Sequence, residues 1–181
     1  ALLGWVPGGG DVDDDDDDDV KKATDLAKQP RFVHNTSRKF ESRWATVRVA
    51  DDSPSVLLKG MQGAVLGVWV AHGEGKAIFP DAAVKKTVLD ENLVPLHYAN
   101  DQGDPTDAYP FCPNGSEDGI AGLCSKDGRH LALMPHPERA VRAWHWPWMP
   151  DDLAAVVANR NDTFSPWIRL FQNAAHFLDT E

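Results

Sequence analysis

Val65-Leu66-Gly67-Val68-Trp69-Val70-Ala71, running into His72-Gly73-Glu74-Gly75, is the stretch on which the fold turns. A short apolar run that stops at glycine has the length of a strand, and its lack of polar alternation predicts burial on both faces. Residues 76–79 are expected as its hairpin partner. Upstream, residues 42–49 alternate. Ala45, Val47 and Val49 share one face, and Trp44, Thr46 and Arg48 the other. That period of two predicts a strand with one buried side. Downstream, Asp81 is placed to cap a helix reaching about Asn92, with Ala83, Val84, Val88 and Leu89 as its stripe. Residues 96–99 read as a strand. Residues 101–116, dense in Asp, Gly, Pro and Asn, read as a long loop. Residues 120–124 and 129–134 read as a hairpin around Ser125-Lys126-Asp127-Gly128. Ser165-Pro166 is a helix start, followed by a stripe of Trp167, Leu170, Phe171, Ala174, Phe177 and Leu178. Strands mixed with helices predict an α/β or α+β sheet domain.

The 181 residues are one domain's worth of chain, with 42% hydrophobic and 25% charged residues. The formal charge is −10, but Asp11 and the seven aspartates at 13–19 supply −8 of it. The remainder is nearly neutral and carries no basic stripe, which argues against nucleic acid as a partner. No apolar run approaches a membrane span, so no membrane partner is expected. The aspartate run is expected to be a mobile surface loop, because like charges this dense repel and cannot bury apolar surface. Two cysteines, Cys112 and Cys124, are too few for a disulfide framework or a four-cysteine zinc site. Asn35, Asn114 and Asn161 open Asn-x-Ser/Thr triplets, read as coincidental because the cysteine content does not suggest an extracellular chain. The opening Ala1-Leu2-Leu3-Gly4-Trp5-Val6 reads as the middle of an element, so a longer polypeptide is expected around this sequence.

The strongest chemical signal is His136-Pro137-Glu138, just past an apolar strand. On an extended segment, positions i and i+2 project to one side. A carboxylate there can accept the proton on one imidazole nitrogen and leave the other as a base toward a nucleophile. The bland alternative is a surface histidine beside a solvated glutamate. His72 and Glu74 repeat the spacing after another strand, with Gly73 and Gly75 letting the backbone approach a ligand. Two His-x-Glu pairs also permit a metal site of two imidazoles and two carboxylates. Asn114-Gly115-Ser116 offers amide and hydroxyl groups to the polar ends of an amino acid, or is simply turn chemistry. Trp144, Trp146 and Trp148, at spacing two, would share one face if extended, as a packing platform or a docking face. No nucleophile is evident. Cys112 precedes Pro113, which has no N–H for an oxyanion hole, and Cys124 runs into a hairpin turn. Ser37 and Ser125 lack an elbow as well.

Five segments, in order, resemble the C-terminal glutaminase domain of the large single-chain phosphoribosylformylglycinamidine synthases. They are His34-Asn35-Thr36-Ser37 with Phe40-Glu41-Ser42-Arg43-Trp44; Ala71-His72-Gly73-Glu74-Gly75; Pro113-Asn114-Gly115-Ser116; Met134-Pro135-His136-Pro137-Glu138-Arg139; and Ser165-Pro166-Trp167. The resemblance covers about residues 31–177. It implies a three-layer, flavodoxin-like α/β domain of the class I glutamine amidotransferases, with a mostly parallel central sheet lacking its first strands. Residues 1–10 would be the remnant of the helix after the nucleophile elbow, 11–30 an acidic surface loop, and 31–181 the rest of the domain.

The resemblance further implies a Cys-His-Glu triad. Its cysteine would sit in a Gly-x-Cys-Asn-Gly-Cys-Gln-like elbow a few residues before Ala1, so this piece alone is expected to be inactive. His136 and Glu138 are then the catalytic pair, and His72, Gly73, Glu74, Asn114, Gly115 and Ser116 line the glutamine pocket. The expected activity is that of an ATP-dependent carbon–nitrogen ligase of purine biosynthesis, amidating formylglycinamide ribonucleotide with ammonia from glutamine. No cofactor or metal is expected in this domain. ATP and magnesium belong to a synthetase domain of the same polypeptide, the expected protein partner. The expected compartment is the cytoplasm, or else an organelle. Two departures from the family pattern stand out: the aspartate run, and Cys112 where asparagine is more usual. A degenerate, non-catalytic interaction domain and a His/Glu metal enzyme are the alternative readings.

Overall fold

The structure is a computed structural model that describes residues 6–7, 27–159 and 163–180. The expected helix remnant over 1–10 and acidic loop over 11–30 lie largely outside the described residues, and so does Asn161. Seven strands and three α-helices are described, in the order β1 (Arg31–His34), β2 (Glu41–Val49), β3 (Val65–His72), β4 (Glu74–Ile78), α1 (Ala82–Asp90), β5 (Leu96–Tyr98), β6 (Ile120–Cys124), β7 (Leu131–Leu133), α2 (Asp151–Asn159) and α3 (Ile168–Thr180).

Five strands form one sheet in the order β3-β2-β5-β6-β7, and β1 pairs with β4 in a second, two-stranded sheet. The mixed α/β class holds, but among the described strands every pairing is antiparallel rather than mostly parallel. The connections explain this. β2 to β3 and β6 to β7 are joined by loops, whereas parallel neighbours need a crossover that carries the chain back to the same end. Beyond β7 the chain returns to the opposite edge of the sheet. The His136 N–H donates to the Trp69 carbonyl at 2.8 Å, so the sheet curls toward closure at β3.

The alternation read in β2 is present: Ala45, Val47 and Val49 are buried. Their partners on β3 are Leu66 and Val68, also buried. β3 itself is not buried on both faces. Its other side, with Gly67 and Trp69, is half-covered, and the cover is aromatic. Trp44 lies edge-on to Trp69 and to Trp146, with ring centroids 5.1 Å apart in each case. The expected hairpin of β3 with residues 76–79 does not form. Glu74–Ile78 pairs with β1, a long-range choice that local periodicity does not encode.

Asp81 caps α1, accepting the Ala83 N–H at 2.7 Å, but only Val88 of the expected stripe is buried. Ala83 and Leu89 face out because α1 lies on the surface. At the other end Ser165 Oγ accepts the Trp167 N–H at 3.2 Å. Trp167 and Leu170 are buried, while Phe171 and Leu178 are exposed, so only part of the α3 stripe enters the core. Trp167 is fully buried and donates its indole N–H to the Gly67 carbonyl at 2.8 Å. Truncating so large a buried ring to alanine removes about 3–5 kcal/mol. The three indoles of 144–148 do not share a face. Residues Ala143–His145 form a 3-10 turn, which sends Trp146 inward and leaves Trp144 and Trp148 exposed. That splits the docking face read from the sequence.

Candidate active site

The turn that carries His136 is built by proline and by hydrogen bonds. Pro137 opens a one-turn 3-10 helix (Pro137–Arg139), with φ preset for it. The Arg139 N–H donates to the His136 carbonyl and the Ala140 N–H to that of Pro137, at 3.1 and 2.9 Å. Pro135 and Pro137 are buried, so both sides of the turn are anchored. The Ala140 carbonyl then accepts the Trp146 indole N–H at 2.8 Å and the Ser165 hydroxyl. The upstream end is held by β3 through Trp69. A strand edge, an indole and the start of α3 therefore fix three sides of the turn.

Within it, His136 Nδ1 and Glu138 Oε1 are 2.7 Å apart. The imidazole side chain is 29% exposed and the carboxylate 52%, so the pair opens to solvent. Arg139 Nε lies 3.7 Å from the same carboxylate oxygen. Because Glu138 accepts a hydrogen bond from Nδ1–H, which keeps its proton, Nε2 is the nitrogen left to serve as base. The expected juxtaposition of His136 and Glu138 is thus present.

His72 and Glu74 do not repeat it. His72 ends β3 facing inward and is 6% exposed, while Glu74 begins β4 facing outward. Glu74 Oε1 lies 3.5 Å from His34 Nδ1 instead. The chain bends at Gly73 and β4 leaves to pair with β1, so the i, i+2 rule for one continuous strand does not apply. The four-ligand metal site read from the two pairs fails for the same reason. Among the described residues, no three His, Cys, Asp or Glu side chains stand together as a metal would require.

His72 belongs to a buried polar circuit instead. Asn35 Oδ1 accepts the Gly75 N–H at 3.0 Å and lies 3.3 Å from His72 Nδ1. Both Asn35 amide protons go to carbonyls, of His72 at 2.8 Å and of Lys39 at 3.0 Å. His72 Nδ1 must therefore be the donor to Asn35 Oδ1. Nε2 is then the acceptor, facing the Tyr98 hydroxyl at 3.5 Å. Asn114 donates to the Gly75 carbonyl at 2.7 Å and to the Tyr98 hydroxyl at 3.4 Å. Burial holds His72 below its ordinary range, and it raises Tyr98 far above that of a free phenol, with the Cys112 thiol adding to the rise. Both stay in the neutral forms that the circuit requires.

Asn114 and Ser116 are fully buried and bonded within the protein. Asn114 Oδ1 accepts the Ser116 N–H at 3.0 Å, and Ser116 Oγ accepts the Ala77 N–H at 2.8 Å. Their side chains are thus turned inward, not offered to a ligand. Gly75 does not open space for a ligand either: a Cβ there would lie 2.4 Å from His72 Cε1, so the imidazole occupies that space. Gly115, at φ +75°, lets Thr36 Oγ1 approach to within 2.3 Å of where its Cβ would be. What these loops present outward is the half-buried Gly73 and Gly115 and the exposed Glu74.

The two thiols are poor nucleophiles. Both are buried, and burial pushes both upward from their ordinary pKa. Cys112 donates to Asn114 Oδ1 at 3.4 Å. Asn35 and Asn114 are too buried for glycosylation, as expected. Asn35 and Tyr98 were not singled out as site residues by the sequence. Asn35 resembles any turn asparagine, and Tyr98 any strand aromatic. Glu41 and Arg43, 3.2 Å apart, carried a readable signal: their alternation puts charges on the core face of β2.

Among proteins of known family, the phosphoribosylformylglycinamidine synthase of Dictyostelium discoideum is 48% identical over 180 residues, which is 99% of this chain and 12% of that protein. A probable chloroplastic/mitochondrial phosphoribosylformylglycinamidine synthase of Arabidopsis thaliana is 50% identical over 183 residues, again 99% of this chain and 12% of that protein. The chain therefore spans about an eighth of the length of these relatives. A solved structure described as PurLQS from Thermotoga maritima superposes with a TM-score of 0.53 at 24% identity, covering 86% of this chain and 56% of that one, which bears on the fold. The model of the CobB/CobQ-like glutamine amidotransferase domain matches residues 1–178, and the chain belongs to that family.

Proposed function

We propose that this domain is the glutamine-hydrolysing part of a phosphoribosylformylglycinamidine synthase. The observation that carries the reading is the 2.7 Å contact of His136 Nδ1 with Glu138 Oε1, on a turn anchored from three sides, in a chain of the amidotransferase family. Glu138 holds the imidazole in one tautomer and stabilises the imidazolium. His136 Nε2 takes the proton of a cysteine thiol, and the thiolate attacks the side-chain amide carbon of glutamine. His136 returns the proton to the departing ammonia, and water then hydrolyses the glutamyl thioester. Neither Cys112 nor Cys124 suits the role of nucleophile, so the thiol comes from a part of the polypeptide outside the described residues. Backbone N–H groups beside that thiol would hold the oxyanion.

Gly73, Glu74 and Gly115 line the glutamine pocket in this reading, with His72, Asn114 and Ser116 supporting them from beneath. The ammonia serves a synthetase domain of the same polypeptide, which uses ATP and magnesium to amidate formylglycinamide ribonucleotide. The domain itself needs no cofactor and has no nucleic-acid or membrane partner. Among the described residues no helix is long and apolar enough to cross a membrane. The proposed compartment is the cytoplasm, with an organelle as the alternative that the Arabidopsis relative's name raises.

The test is His136→Ala in the full-length polypeptide, assayed with glutamine and with ammonium as nitrogen source. The ratio of glutamine- to ammonium-dependent rate should fall by about 10⁴ or more, the scale of losing a triad base. An unchanged ratio would remove His136 from the mechanism.

A further inference from the structure

The mechanism above uses no residue of β5, yet Tyr98 of that strand is fully buried with its hydroxyl between two site loops. The hydroxyl meets His72 Nε2 at 3.5 Å and Asn114 Nδ2 at 3.4 Å. Taken with Asn35 and Gly75, the contacts form a closed ring. Asn114 donates to the Gly75 carbonyl; the Gly75 N–H and His72 Nδ1–H both donate to Asn35 Oδ1; Tyr98 O–H donates to His72 Nε2; and Asn114 donates to the Tyr98 oxygen. The proton count permits one arrangement. Asn35 has spent both amide protons on the His72 and Lys39 carbonyls, and Asn114 has spent both on Gly75 and Tyr98. The ring ties the backbone of the 72–75 turn to that of the 114–116 turn, and the Thr36 N–H adds a bond to the Asn114 carbonyl at 3.1 Å.

We propose that Tyr98 is a positioning residue for the amino-acid substrate. Its hydroxyl closes the ring that sets Gly73 and Gly115, the outward-facing backbone of the two turns, at a fixed separation. The proposal rests on the reading that these turns line the glutamine pocket. Tyr98 touches no substrate; it acts through His72 and Asn114. A single hydroxyl is well matched to the task, because it accepts from one turn and donates to the other. In a site closed to water, neither contact is readily replaced by solvent.

The experiment is Tyr98→Phe in the full-length polypeptide, which keeps the ring and removes only the hydroxyl. The KM for glutamine should rise about threefold to tenfold, the equivalent of one neutral hydrogen bond, while kcat changes by less than twofold. Combined with His72→Gln, the second change should add little to the first, because each breaks the same ring. A glutamine KM equal to that of the wild type in a folded Tyr98→Phe protein overturns the proposal. So does a double variant whose KM effects multiply. If the wild-type polypeptide uses ammonium but shows no glutamine-dependent rate, the glutaminase reading fails first and the proposal with it.

Discussion

His136-Pro137-Glu138 and His72-Gly73-Glu74 have the same spacing and both follow an apolar strand, yet they come to opposite ends. In the first, Pro137 starts a 3-10 turn and the imidazole meets its carboxylate at 2.7 Å in a solvent-open position. In the second, the chain leaves one strand for another sheet. The imidazole is buried against Asn35 and Tyr98, and the glutamate faces out toward His34. Spacing brings two residue types within reach, but the backbone between them decides whether they meet. Proline folds the first segment into a turn that brings its two ends together; the second bends at Gly73 between two sheets, so that its histidine faces in and its glutamate out. One histidine is left with a free nitrogen for chemistry, and the other has both nitrogens engaged in structure.

The largest effect that would sharpen this contrast is at Glu138. Glu138→Gln should lower the glutamine-dependent rate by about 10²–10⁴, since the amide offers the imidazole no charge to stabilise. The domain's stability should be nearly unaffected, because the carboxylate is half exposed. Steady-state kinetics of the full-length polypeptide beside its thermal unfolding would check both halves.

The next effect belongs to the other histidine's surroundings. Asn35→Ala removes an amide that serves two carbonyls, one N–H and one imidazole. Buried groups left without partners cost about 1–3 kcal/mol each before relaxation. A loss of about 2–4 kcal/mol is therefore expected, read as faster hydrogen exchange at the amides of β2, β3 and β5. Protection unchanged at those strands would show that the circuit contributes little to stability.

The smallest effect is a pH slope. Burial lowers the pKa of folded His72, whereas in the unfolded chain it titrates near its ordinary 6.5. Above 6.5 both states carry a neutral ring, and the contribution to stability is intact. Below it the unfolded state takes up a proton that the folded state resists, so stability falls as the pH falls. The slope is at most about 1.4 kcal/mol per pH unit from this group. Hydrogen exchange at pH 7.5 and 5.5, in wild type and in His72→Gln, should show a steeper acid loss in the wild type. Equal slopes would mean that His72 is not held neutral.

The contrast also marks what was legible beforehand. β2 was readable because one of its faces is core, so that Ala45, Val47 and Val49 had to alternate with polar neighbours. The meeting of His136 with Glu138 was readable from their spacing, but its geometry was not: the segment expected to be extended is a 3-10 turn opened by Pro137. The pairing of β4 with β1 was not readable, since the partners lie 40 to 47 positions apart and local periodicity carries no information about partner choice at that range. The split of Trp144, Trp146 and Trp148 was missed by assuming an extended chain where a 3-10 turn forms. The inward orientation of Asn114 and Ser116 was hidden because a turn sequence does not tell which way its side chains point. Glu41 and Arg43 could have been noticed: two charges in phase with a buried stripe need partners, and that need is visible in the pattern alone.

The central claim is that one of two identically spaced pairs does the chemistry and the other holds the fold. Pre-steady-state trapping of the glutamyl thioester in the full-length polypeptide tests it most directly, with His136→Ala and His72→Gln measured side by side. His136→Ala should slow thioester formation by about 10⁴ or more in a normally folded protein. His72→Gln should still form it, with a weaker apparent affinity for glutamine. Thioester formed at the wild-type rate in His136→Ala would contradict the account.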